Sequence, residues 1–166
     1  KYFVLLLIGC ALLFTVCACG NKAEPEGATD VTEATAAYLL DKVTKPSPGA
    51  IGGDWVMIGL ARSDYDVTQS YYDSYYENVV KKVKSCEGVL GDVKYTEYSR
   101  TVLALTAIGK DPANVGGYNL LMPLGDFDKT VQQGINGPIW ALIALDSGNY
   151  EIPGNTDATT QATRDM

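Results

Sequence analysis

Few groups in this 166-residue chain are able to do chemistry. It has no histidine, which removes the commonest general base and the commonest zinc ligand, together with the Ser-His-Asp and Cys-His nucleophile arrangements. Two acid pairs remain, Asp64-Tyr65-Asp66-Val67 and Asp126-Phe127-Asp128-Lys129. Lys129 favours ionised carboxylates in the second pair, and both pairs read as helix caps or solvated turns. Tyr71, Tyr72, Tyr75 and Tyr76 invite a ring-stacking platform, yet at helical spacing such residues belong to a core. Gly52-Gly53 and Gly116-Gly117 have no strand before them and no Lys-Ser/Thr after them, so they are turns and not phosphate loops. The sequence therefore assigns no catalytic residue and no metal ligand.

One cysteine carries a sharper signal. Lys1 is followed by an uncharged, largely apolar stretch from Tyr2 to Ala18 that ends in small residues and is short for a membrane span. Val16-Cys17-Ala18-Cys19-Gly20 then has the shape of a bacterial lipobox, in which the last cysteine becomes the lipidated N-terminus. Residues 1–18 are thus read as a lipoprotein signal peptide, and Cys19 as the lipidation site. The chain opens without a methionine, so this reading expects sequence to precede Lys1. Cys10 and Cys17 leave with the signal and Cys19 takes acyl chains. Only Cys86 then remains in the mature domain, with no internal disulfide available, and it reads as a half-buried spectator.

The formal net charge of −7 leaves no basic field for a nucleic-acid backbone. An acidic domain does not adhere to an anionic bilayer unaided, so the lipid must hold it there, each buried methylene contributing roughly 0.8 kcal/mol. The expected location is extracytoplasmic, at the surface of a bacterial membrane. With 46% hydrophobic and 20% charged residues, the remainder has the composition of a packed domain.

Residues 19–29 form a small, polar tether broken by Pro25 and Gly27. The domain from 30 to 166 begins with Asp30 as a helix cap and an apolar face of Ala34, Ala37, Tyr38 and Leu40, stopping near Val43. Asp54 is expected to cap a helix from Trp55 to Ala61 that is buried all round. Thr68 to Ser85 is the clearest amphipathic helix, with Tyr71, Tyr75 and Val79 beside Tyr72, Tyr76, Val80 and Val83. Thr96 is expected to cap the next helix, which carries Tyr98, Val102 and Leu105 on one face and ends at Gly109 before Pro112. An ordered loop over 111–124 and a short helix over 126–133 lead to Asn136-Gly137-Pro138, the entrance of a last helix that Gly148 closes. No alternating run suggests a strand, and the predicted class is all-α.

Trp55, Tyr98 and Trp140 can be set in register at intervals of 43 and 42 residues, with Ile58 over Thr101 and Ile143, and Leu60 over Leu103 and Leu145. A period of that size means one helical hairpin per repeat, either in an open solenoid or in a closed ring. The stretch from Tyr98 through Leu103-Ala104-Leu105-Thr106-Ala107-Ile108-Gly109-Lys110-Asp111-Pro112 and Asn114-Val115-Gly116-Gly117-Tyr118 to Gly137-Pro138-Ile139-Trp140-Ala141-Leu142 resembles the prenyltransferase/squalene-cyclase repeat. It is more closely similar to non-catalytic bacterial surface lipoproteins carrying that repeat, and more distantly to transcobalamin-type α/α toroids.

The resemblance implies an α/α toroid of about six hairpins, of which this chain holds about three. It therefore implies an incomplete ring, with sequence to follow Met166 and Thr156 to Thr163 starting the next helix. Cyclases with this repeat use an Asp-x-Asp-Asp acid, and both acid pairs here lack the third carboxylate. The related protein prenyltransferases hold zinc with Asp, Cys and His, which this chain cannot assemble. Corrinoid binding is implied by the resemblance alone, and no cofactor is expected otherwise. The expected function is a membrane-anchored, non-enzymatic module that binds a small molecule or an extracellular partner. The competing readings are a cyclase or prenyltransferase-like enzyme whose catalytic residues lie in sequence outside this chain, and a structural scaffold.

Overall fold

Residues 31–49 and 52–154 are described by a computed structural model. Among them are six α-helices: α1 (Val31–Lys42), α2 (Asp54–Ala61), α3 (Gln69–Ser85), α4 (Thr96–Ala107), α5 (Phe127–Thr130) and α6 (Asn136–Asp146). Short 3-10 turns cover Met122–Gly125 and Val131–Gln133. No strand occurs among the described residues. The all-α class is as expected; the residues read as signal peptide and tether, the cap expected at Asp30 and the helix expected over 156–163 lie outside the described residues.

Helix α4 is the centre of the arrangement. It packs against α2 on one side and α6 on the other, because Tyr98, Val102, Ala104 and Leu105 give it apolar residues on more than one face, all buried. At its start, Thr96 donates from its backbone N and from Oγ1 to Gln133 Oε1, at 3.0 and 3.1 Å, just before α6 begins. At its end, Thr106 Oγ1 lies 3.0 Å from the hydroxyl of Tyr150, just after α6. Helices α4 and α6 therefore run in the same direction, and the intervening chain must return along the molecule.

That return is made by an ordered loop. Gly109, at φ 73°, reverses the chain out of α4, and Lys110 N donates back to Leu105 O at 2.8 Å, the αL stop expected of a glycine there. Val115 and Tyr118 then exchange backbone hydrogen bonds of 2.8 and 3.2 Å around Gly116 and Gly117, both at positive φ. This is a two-residue hairpin turn, which left-handed glycines allow. Val115, Leu120, Leu121 and Leu124 bury the loop's inner side.

Helix α3 meets the rest through large side chains. Tyr75, Val79 and Val83 are fully buried, the stripe that its spacing predicted, each contributing roughly 1.5–3 kcal/mol by leaving water. The Tyr71 hydroxyl donates to Val43 O at 2.7 Å, and Asn78 Nδ2 to Pro46 O at 2.9 Å, fastening the segment after α1 to α3.

Several local expectations are corrected. Of the face expected for α1 only Leu40 docks, together with Ala36, Leu39 and, just past the helix, Val43, whereas Ala34, Ala37 and Tyr38 are exposed; in a run so rich in small residues, periodicity does not single out one face. Gly53 and Tyr95 occupy the cap positions expected of Asp54 and Thr96. Each polar side chain is instead drawn one residue into its helix by a distant partner. Helix α2 is not buried all round, since Trp55 is 46% exposed. The proposed register also breaks at α4: Tyr98 is 3% exposed and donates its hydroxyl to Gly88 O, while Trp55 faces solvent. Gly137 opens α6 for a steric reason, because a Cβ there would lie 1.7 Å from Thr130 O.

Candidate functional site

The starts of α2, α4 and α6 come together around one cleft. It has a volume of about 280 Å³ and is lined by Trp55, Thr96, Arg100, Gln133, Asn136 and Trp140. The two tryptophans form its apolar wall, their ring centroids 5.4 Å apart and their planes at 67°. Edge-to-face geometry of this kind is favourable between aromatic rings and fixes both. They are also the only tryptophans in the chain.

The polar floor is anchored from beneath. Asp54 is completely buried, and its Oδ2 accepts from Arg100 Nε at 2.5 Å and from Gly49 N at 3.3 Å. Its Oδ1 accepts from the Tyr75 hydroxyl. A buried carboxylate needs such partners to offset its desolvation. Burial pushes the Tyr75 phenol far above its ordinary range, and the neighbouring Asp54 charge adds to that rise, with Arg100 opposing it in part. The arrangement holds the Arg100 guanidinium in one orientation at the edge of the cleft. Gln133 is similarly fixed, its oxygen taken by Thr96.

A second concavity, of about 440 Å³, lies beside the end of α3, where Tyr95, Tyr98 and Tyr118 meet Glu87, Asp92 and Lys129. The Lys129 ammonium stands 5.9 Å from the Tyr95 ring centre. Its pKa is raised first by the hydrogen bond with Tyr95 and then by the charges of Tyr95 and Asp126. Lys129 thus fills the aromatic face that a cationic ligand would use.

The residues singled out from sequence fall elsewhere. Asp126 caps α5, accepting from Lys129 N at 3.1 Å. Asp64, Asp66 and Asp128 are exposed, so each pair is a cap or a turn, as its spacing suggested. Cys86 is free and half-buried, its Sγ 3.5 Å from Val83 O. Tyr71, Tyr72 and Tyr76 are half-buried on α3 and Tyr75 is core. Lys110 bonds Asp73 at 2.7 Å and lies 5.2 Å from the Tyr76 ring centre. Cys19 lies outside the described residues. No group of three or more Cys, Asp or Glu is placed to hold a metal ion among the described residues, and no described helix is long and apolar enough to cross a membrane.

Sequence reasoning missed the Asp54–Arg100–Tyr75 set. Its only local trace is a single acid at the head of one apolar helix and a single arginine inside another. No family model, curated protein or solved structure matches the chain.

Proposed function

We propose that this protein is a lipid-anchored, extracytoplasmic binding module, in which helical hairpins of the α/α-toroid type present an aromatic-walled cleft to a small molecule or extracellular partner without catalysing a reaction. The observation that carries this reading is the cleft itself. It pairs an apolar wall with polar groups held in place by buried partners, the composition of a ligand site, and it contains no nucleophile paired with a base. The toroid reading draws support from the parallel α4 and α6 and from the stripe of Ile135, Ile139 and Ile143, which are 55%, 43% and 44% exposed. Such a stripe suits a further helix of the same kind. Anchoring rests on Val16 to Gly20.

Two measurements test the reading. Intact-mass analysis of protein recovered from membranes should show diacylglyceryl modification at Cys19 and cleavage before it, and Cys19→Ala should release unlipidated or uncleaved protein. A free Cys19 in the membrane-bound form would refute the anchor. Tryptophan emission of the domain should respond saturably to a member of a panel of glycans, organic acids, isoprenoids and corrinoids. Turnover of squalene or a prenyl diphosphate, abolished by Asp126→Asn or Asp128→Asn, would refute the non-enzymatic reading.

A further inference from the structure

We infer that the Trp55–Trp140 cleft takes a carboxylate carried on a six-membered ring; this rests on the binding reading above and names the ligand's chemistry. The wall and the floor make separate demands. Two fixed indole rings, one of them half-exposed, offer flat apolar surface to the face of a ring. The floor offers donors. Arg100 spends Nε on Asp54, so its planar fork is oriented before any ligand arrives. Planar forks of this kind match a carboxylate in two-point fashion. Gln133 spends its oxygen on Thr96, which turns its amide NH2 away from that contact. Asn136 is exposed in the first turn of α6.

The field has the same sign. Helices α4 and α6 both start at the cleft, and helix starts carry partial positive charge. No carboxylate is among the six residues that line the cleft, and Asp54 beneath it is buried and engaged by three partners. A volume of about 280 Å³ lies just below the usual range for small-molecule sites, so a single ring fits and a drug-sized molecule does not. A bare phosphate would meet the donors but gain nothing from the indoles.

A ring-borne carboxylate could be a uronic acid unit of a polysaccharide or a free alicyclic acid. Both are tested by titrating the domain with galacturonate and with cyclohexanecarboxylate, using galactose and inorganic phosphate as controls. Because both tryptophans border the cleft, intrinsic emission reports on it directly. The expected result is a saturable change with the two carboxylates, with Kd below about 1 mM, and none with the controls. Tighter binding of galacturonate assigns the saccharide source, and tighter binding of cyclohexanecarboxylate the alicyclic one.

Asn136→Asp supplies the decisive variant. Its new charge favours the start of α6 and should leave the melting temperature unchanged or raised, yet it should weaken both carboxylates about tenfold by like-charge repulsion. Arg100→Lys keeps a cation for Asp54 but loses the fork, and should weaken them comparably. Galactose binding as well as galacturonate would overturn the carboxylate while leaving the binding reading intact. Phosphate binding equally well, or an unchanged Kd in Asn136→Asp, would also overturn it. No response to these probes or to any member of the wider panel would overturn both.

Discussion

Replacing Arg100 by methionine removes the guanidinium from Asp54 while keeping a long apolar stem in its place. Asp54 has no exposed surface, and the Arg100 side chain is 22% exposed. The two partners therefore have unequal escape routes. Without Arg100 the carboxylate keeps only the Tyr75 hydroxyl and the Gly49 amide, and stranding one member of a buried pair costs about 3–5 kcal/mol. Against a typical domain stability of 5–15 kcal/mol, that is about a fifth of the total or more. At a few degrees per kcal/mol, the melting temperature should fall by roughly 10–20 °C. Asp54→Asn should cost less, because the freed guanidinium can turn to water at the cleft edge. The reasoning fails if Arg100→Met costs under about 1 kcal/mol, or if Asp54→Asn is the more damaging of the two.

Tyr75 sets the alkaline limit. Its folded pKa lies above the unfolded value of about 10, so the folded state holds the proton longer, and the stability from this phenol is full below pH 10 and lost as pH rises further. Tyr71, Tyr72 and Tyr98 are shifted the same way, in each case first by burial. Tyr75→Phe should cost about 1–3 kcal/mol at pH 7, by taking a donor from Asp54, and should flatten the alkaline slope seen in urea unfolding; an unchanged slope would refute the assignment. The isoleucine stripe on α6 should make residues 20–166 self-associate with increasing concentration. Ile139→Glu together with Ile143→Glu should restore monomers in light scattering without lowering the melting temperature, and a wild type that stays monomeric would refute this.

Legibility in the sequence divides along chain separation. Helix α3 was plain because Tyr75, Val79 and Val83 repeat at intervals of four and all face inward. The stop at Gly109 is plain because a left-handed glycine acts within a few residues; α6 ends at Asp146 instead through Ser147 and a left-handed Asn149, not through Gly148. Helix α1 docks a different face from the one its periodicity suggests, because alanines populate most of its faces and a few contacts decide which one docks. The capping roles of Asp54 and Thr96 were misread for a related reason. Local rules assign a polar residue ahead of an apolar run to the helix end, but these side chains found better partners 46 and 37 residues away.

Those long-range pairs explain why the cleft had no motif. Gln133 reaches Thr96, Arg100 reaches Asp54, and Trp140 meets Trp55 across two helical connections. These contacts join the starts of α2 and α6, and the turn before α6, to one another and to the start of the intervening α4, so the site exists only once the three helices are assembled. The register built on Trp55, Tyr98 and Trp140 found two of the three positions. It failed at α4 because the residue facing the tryptophans there is Arg100, while Tyr98 turns to Gly88 and Leu90. An aromatic at all three positions would have closed an apolar core. An arginine in the middle one, tied to a buried aspartate, leaves a polar opening between two indoles, the feature on which the proposed binding reading rests.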